Sequence, residues 1–411
     1  MEWTSALGRY AGRLHRATGM GHHVASPLGA WLLLALVAKA APPGHDLAEA
    51  LGMDPDEAAA VAGTLLEQPH SMVAAASAVW YGPDADVSGL AGWWAGLPST
   101  TSFGPLPDRL ELDRWVREHS LGLIASMPDI SPRALLTLAS VLATKVSWRE
   151  PFEAVPADDL GRDTLWAPRL SQVLRTPPKS HRMFIARSEH AGEIIVHVAA
   201  GAPAEDPDHY HDPTAGRDEL QVVSVAAAPD VDPARVLAAA YEIAPACVSG
   251  RRLKSEVSLF KLPPGQTPLW TIRETELHGH TESYSAVLPC WSAHSTHDLT
   301  DTGPGFPAAT RILAGLLGID DLTHQAQQTA VARYGQYGFE AAALTTTASY
   351  RSAGLGPMLA REAELRFAHP YAVVAVAAQT SGAGSAAEPG PWHGVPVFSA
   401  WVSEPDDLFE R

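Results

Sequence analysis

Apolar positions recur at helical spacing from Thr4 to about Leu66, in "TSALGRYAGRLHRAT", "LGAWLLLALVAKAA", "HDLAEALG" and "DPDEAAAVAGTLLEQ", with Gly and Pro between the runs. This predicts a helical N-terminal part. The run Leu28 to Ala41 is apolar on every side and predicts a core helix. Ser26 before Pro27 predicts its start, with a hydroxyl N-cap and a proline at the first helical position. Ser71 to Gly82, "SMVAAASAVWYG", has strand content. Leu112 to Met127 returns to helical period.

"ALLTLASVLATKVSW", Ala134 to Trp148, is too uniformly apolar for a one-faced surface strand and predicts a buried central strand. Further strands are expected at "EIIVHVAA", "ELQVVSVAAA", "SYSAVLPCW", "TAVARYG", "AELRFAHPYAVVAVAA" and "PVFSAWVS". Helices early and strands late argue for an α+β class. Two segments, Ala200 to Asp218 and Ser381 to Gly394, have loop composition, but neither separates self-sufficient halves. One domain over 1–411 is therefore expected, without internal repeats.

Charge narrows the partners. With 29 basic against 46 acidic residues, the net charge of -17 repels phosphate backbones and anionic headgroups, which argues against nucleic acid and membrane. The first twenty residues interrupt their apolar positions with charge, unlike a secretory leader, so a cytoplasmic location is expected. The run at Leu28 falls short of the roughly 20 residues of a membrane span. Cys247 and Cys290 read as buried thiols, with a single disulfide between them as the alternative.

No catalytic signature stands out: GxSxG, HExxH, the Walker glycine loop and GxGxxG after a strand are all missing. Of the 18 histidines, the pairs His209/His211 and His278/His280 have the i, i+2 spacing that two metal ligands on a strand require. Exposed loop histidines explain them as well, so neither metal nor cofactor is expected.

Four segments together resemble the serpin family. "HHVASPLGAWLLLALVAKAAPPGHDLAEALG" is similar to its SPxS helix start and following helices. "LDRWVREHSLGLIASM" with "LLTLASVLATKVSWREPF" resembles its NxWVxxxTxGxI helix and NAIYFKGxWxxPF strand, with Trp115, Gly122, Lys145, Trp148, Pro151 and Phe152 in register. "GFEAAALT" resembles the hinge GTEAAAAT, and "LRFAHPYAVVAVA" with "PVFSAWVSEP" resembles the terminal strands. The order of the four holds across about 380 residues, with Asp158 to Ser285 matched loosely.

The resemblance implies a serpin fold of three β-sheets, about eight or nine helices and an exposed reactive-centre loop, here about 338–362. It also implies a monomeric suicide-substrate inhibitor of a trypsin-like or subtilisin-like serine protease, not an enzyme. The protease cuts the loop, and the loop then enters the central sheet as a new strand. The hinge Gly338, Phe339, Glu340, Ala341, Ala342 and Ala343 and the following Thr345 to Thr347 suit that passage, being mostly small or β-branched and free of proline. About a dozen new ladder bonds would release on the order of ten kcal/mol.

With Gly338 taken as the fifteenth residue before the cut, the cut falls after Ser352, so Arg351, Ser352 and Ala353 are the bond candidates. Arg351 suits an S1 pocket that carries a carboxylate, or is an ordinary loop arginine. Tyr350, Leu355 or Met358 suit subtilisin- or chymotrypsin-like enzymes. The sheet-opening region maps onto Ser26, Pro27, Ser140, Lys145, Trp148 and Gln328.

Departures from the family pattern bear on inhibition. Phe339 replaces a small hinge residue and is expected to hinder insertion, because its ring must be buried. Gly29, Ser140 and Gln328 replace a serine, an asparagine and a histidine, so the polar latch is expected to be rebuilt or missing. Gln336 replaces a glutamate, and the span from Gly338 to Phe367 is longer than in the family, through "SAGLGPMLAREAE". These departures motivate the alternative of a non-inhibitory serpin-fold scaffold or a protein recruited to a biosynthetic role.

Overall fold

A computed structural model describes residues 2–42, 45–131, 133–178, 180–202, 217–278, 281–300, 305–320, 322–339, 357–381 and 388–407. Among these, the α-helices are α1 (Glu2–Thr18), α2 (Pro27–Ala38), α3 (Leu47–Leu51), α4 (Pro55–Glu67), α5 (Ala91–Trp94), α6 (Arg109–His119), α7 (Pro233–Cys247) and α8 (Phe306–Leu317). Helix α2 starts as its sequence prescribes: the Ser26 hydroxyl accepts from Gly29 N at 3.3 Å and Pro27 occupies the first turn. Eleven of its residues are buried, so its register is fixed by packing on all sides.

The strands form three sheets. The smallest is ordered β3 (Ser102–Pro105), β2 (Ala74–Tyr81), β4 (Leu136–Ala143), and α6 packs across β2 and β4 through Leu112, Val116, Ala78, Trp80 and Val141. The largest runs β1 (His23–Ala25), β21 (Val395–Val402), β19 (Tyr371–Ser381), β10 (Arg217–Ala227), β9 (Gly192–Ala202), β5 (Val146–Trp148), β17 (Gly338–Phe339), β16 (Gln327–Tyr334), β15 (Trp291–Asp298). Off this path, β8 (Arg182–Ser188) joins β9 and β11 (Glu256–Val257), and β20 (Glu388–Pro389) joins β19. The third sheet is ordered β12 (Gly265–Gln266), β13 (Trp270–His278), β18 (Pro357–Arg366), β14 (Glu282–Leu288), β7 (Gln172–Arg175), β6 (Glu153–Pro156).

Several expectations change. The buried central strand is two pieces, β4 and β5, broken at Thr144–Lys145, and β4 is half-buried over Leu136–Ser140 because it is an edge strand. Helices are not confined to the front of the chain, since α7 and α8 lie in its second half. Within the supposed loop 381–394, Trp392 is fully buried and donates to Gln68 O. Both cysteines are buried and no disulfide joins them.

The junction of β5 and β9 depends on Gly201, paired with Trp148: a Cβ there would lie 2.5 Å from Val146 Cγ2 and 2.8 Å from its Cβ. A stiff β-branched side chain cannot yield that space. Gly201→Ala is therefore expected to destabilise the protein by about 1–3 kcal/mol, measured by denaturant unfolding, through displacement of β5.

Candidate functional site

The site begins with a missing partnership. Among the described residues, β4 pairs only with β2, and β16 pairs only with β15 and with Phe339 of β17. Between β4 and β16 lies a narrow slot holding about 40 Å³ of space open to water. Its walls are Ser140–Thr144 on one side and Gln328–Val331 on the other, with Gly29 and Ser26 of the α2 start on its floor and Ser120, Leu123 and Ile124 over it.

Instead of pairing with each other, the walls grip α2. Ser140 Oγ donates to Gly29 O at 2.8 Å. Across the slot, Ser26 N donates to Gln328 Oε1 at 3.0 Å and Gln328 Nε2 donates to Ser26 O at 2.8 Å. One amide side chain thus satisfies both backbone groups of one residue, as a strand neighbour would, because it carries a donor and an acceptor side by side. Ser26 Oγ, which accepts from Gly29 N, also donates to Val397 O at 2.9 Å. The polar latch expected as rebuilt or missing falls on these residues, which tie both walls to the start of α2. Gly29 has a steric reason: a Cβ there would sit 3.1 Å from Leu142 Cδ1 and 3.4 Å from Ser140 Oγ.

The mouth of the slot is aromatic. The hinge residues Gly338 and Phe339 pair with Ser147 and Val146 of β5, and Phe339 pairs with Tyr334 of β16. The expectation that Phe339 hinders insertion by needing burial is corrected here, because its ring is already buried, 6.3 Å from Trp291, and lines the slot. Trp148 Nε1 donates to Gly335 O and Trp148 N to Tyr337 O, each at 2.9 Å, with the Trp148 and Tyr334 rings 5.0 Å apart. Gln336 exchanges two hydrogen bonds with the backbone of Phe152. Lys145 is exposed where β4 gives way to β5.

Beside this mouth, His181 and His197 meet at 2.9 Å. Glu150 O can only accept, so His181 Nε2 carries the proton toward it and His197 Nε2 donates to His181 Nδ1. His197 Nδ1 is buried without a partner, and burial pushes both imidazoles below their ordinary value. Sequence reasoning missed this pair, whose members are sixteen residues apart.

Glu340, Ala341, Ala342, Ala343, Arg351, Ser352 and Ala353 lie outside the described residues. The loop boundaries 338–362 are corrected at both ends: Gly338 and Phe339 belong to β17, and Pro357 onward belongs to β18. Strand β18 is paired on both edges, with β13 from Trp270↔Leu365 to His278↔Pro357 and with β14 from Glu282↔Arg361 to Val287↔Arg366. Arg361 donates to Glu274, Leu259 O and Leu262 O, and Arg366 to Thr271 Oγ1 and Thr267 O. Residues 357–364 of the extra stretch before Phe367 thus lie in a strand, and Met358 lies in a ladder. His209, His211 and His280 also lie outside the described residues, among which no group of three or more His, Cys, Asp or Glu side chains could hold a metal ion. No helix among them is long and apolar enough to cross a membrane.

Comparison with solved structures bears on the fold. Tengpin, a thermophilic serpin in its native state, matches at TM-score 0.62 and 11% identity, covering 98% of this chain and 94% of that one. Human glycosylated kallistatin matches at TM-score 0.60 and 13% identity, over 98% and 97%. Human thyroxine-binding globulin complexed with its hormone matches at 0.58 and 14%, over 98% of each. The chain has the serpin fold. No family model and no curated protein sequence matches it.

The two hydrogen bonds between Gln328 and Ser26 give a direct test. Gln328→Ala leaves the buried Ser26 N–H unsatisfied, while Ser26 O keeps only its bond from Ala30 N, and is expected to lower the stability of the uncut protein by about 1–3 kcal/mol in denaturant unfolding. Gln328→Glu, which keeps only the acceptor, is expected to fall between the two.

Proposed function

We propose that this serpin-fold chain acts as one unit, as a suicide-substrate inhibitor of a serine protease, supplying bait and not catalysis. The observation that carries this reading is the unpaired slot between β4 and β16, with the hinge already seated at its mouth. The pairs Gly338↔Ser147 and Phe339↔Val146 fix the register of a strand that continues inward. Ala341 then comes opposite Thr144, Ala343 opposite Leu142 and Thr345 opposite Ser140. Their side chains share the inward face with that of Phe339, since strand side chains alternate. Small residues are what a slot this narrow admits.

Chain length supports the need for a cut. The 17 residues 340–356 join the mouth to Pro357 in the third sheet, which meets the mouth end through Phe152–Glu153 and Leu288–Trp291. Pairing down to Leu136 uses residues 340–349 and descends about 33 Å at ~3.3 Å per residue. The seven left over reach back at most about 28 Å. Strand β18, held on both edges, gives no slack. Cleavage at Arg351, Ser352 or Ala353 frees the arm.

Arg351 directs this reading to an enzyme whose S1 pocket carries a carboxylate. Incubation with trypsin-like and subtilisin-like proteases is expected to give a complex that survives SDS; cleavage without any complex across the panel rejects inhibition in favour of a non-inhibitory scaffold or a recruited biosynthetic role. Ala343→Glu, which brings a charge to the inward face, is expected to leave loop cleavage intact, abolish the complex and remove the gain in melting temperature on nicking.

A further inference from the structure

Four side chains and one backbone carbonyl form a buried chain of hydrogen bonds under the slot wall. Tyr241 OH of α7 donates to Ser399 Oγ of β21 at 2.8 Å, Ser399 Oγ meets His15 Nε2 of α1 at 2.7 Å, His15 Nδ1 meets His23 Nε2 of β1 at 2.7 Å, and His23 Nδ1 meets Gly21 O at 2.8 Å. Its polarity follows from its last acceptor. A carbonyl oxygen only accepts, so His23 Nδ1 bears the proton and its Nε2 accepts; His15 Nδ1 therefore donates, its Nε2 accepts, and Ser399 donates to it. Every group donates once, and both imidazoles are neutral.

Beside it, His297 of β15 lies edge-on to His23 with ring centroids 5.7 Å apart and donates from Nε2 to Val24 O at 2.8 Å, while Val24 N donates to Ser295 Oγ at 3.1 Å. These bonds fasten β1 to β15, and His297 pairs with Gln328, which holds Ser26 just beyond β1. The joint and the slot wall share one fastening.

Among the described residues, nothing nearby offsets a positive charge. Helix α1 contributes His15, while Arg16 turns to Gly12 O; β1 contributes His23 and its neighbour His22, which bonds Ser292 O and the backbone N–H groups of Ser403 and Glu404. Helix α7 contributes Tyr241, with Glu242 turned to Ser188; β15 contributes His297, with His294 and Asp298 exposed; β16 contributes Gln328. A proton added to His15 turns its Nε2 into a donor and leaves the Ser399 proton without an acceptor. A second proton sets two donors against each other at the 2.7 Å contact.

We propose that this joint is an acid-sensitive fastening of the slot, in which protonation of His15 and His23 releases β1 and Ser26 from β15 and β16. Burial is the main cause that holds His15, His23 and His297 below the ordinary value of 6.5, His15 down to about 3. Groups lowered on folding contribute their full stability above 6.5, and that contribution is lost progressively as pH falls below it.

Hydrogen exchange of the intact protein, corrected for intrinsic rates, tests this at pH 8 and pH 5. Segments 23–30 and 327–334 are expected to exchange at least tenfold faster at pH 5, and segments 192–202 and 371–376 are not. Equal protection at both pH values, or uniform loss across all four segments, overturns the proposal. His15→Gln keeps one donor and one acceptor at the ring-nitrogen positions without titrating, and is expected to shrink the acid response severalfold; an unchanged response overturns it as well. Should that variant fail to fold, ring nitrogen NMR of the unsubstituted protein is decisive: neutral Nδ1–H tautomers of His15 and His23 at pH 7 support the chain of donors, and imidazolium at either refutes it.

Discussion

Two strands that lie side by side without bonding to each other set the terms for everything else. Strands β4 and β16 each present an unpaired edge to the slot, and each is tied down through a side chain to the start of α2. An unpaired edge is a liability in most sheets, because it invites a guest strand. In the proposed reading the guest is part of the same chain, whose Gly338 and Phe339 already pair with β5. The small size of the latch, one serine on one wall and one glutamine on the other, keeps the cost of parting the walls low compared with a full ladder.

The mouth shows how that arrangement is kept in place. Trp148, Tyr334, Trp291 and Phe339 pack ring against ring where β5, β17, β16 and β15 meet, and Trp148 and Gln336 hold the turn 335–338 through hydrogen bonds. This is a rigid corner. On its far side β18 is a central strand fastened by Arg361 and Arg366. The segment between is thus anchored at both ends, and the strand register at the first end dictates where each following residue would go.

Much of this was legible in the sequence, and the limits are physical. Ser26–Pro27 announced the start of α2 because capping is local, whereas the alanines after Phe339, read as a strand in waiting from their size, lie outside the described residues. The slot was not legible, since it is an absence between Ser140 and Gln328, far apart in the chain. Gln328 stood out as a departure from the family, yet its two hydrogen bonds with Ser26 depend on where the fold brings them. Helix α7 carried a cap at Asp232 and Pro233, but its alanine-rich interior and Pro245 blurred the period. Phe339 was misjudged because burial was expected only after insertion. The His15–Ser399 contact joins residues 384 positions apart.

The most direct test of the central claim is a crystal structure of the protein after a single cut in the loop. The account predicts that residues 341–349 lie between β4 and β16, antiparallel to both, with Ala343 opposite Leu142 and Thr345 opposite Ser140. A cut protein in which β4 and β16 still face each other across an empty slot, or have closed on each other, would contradict it.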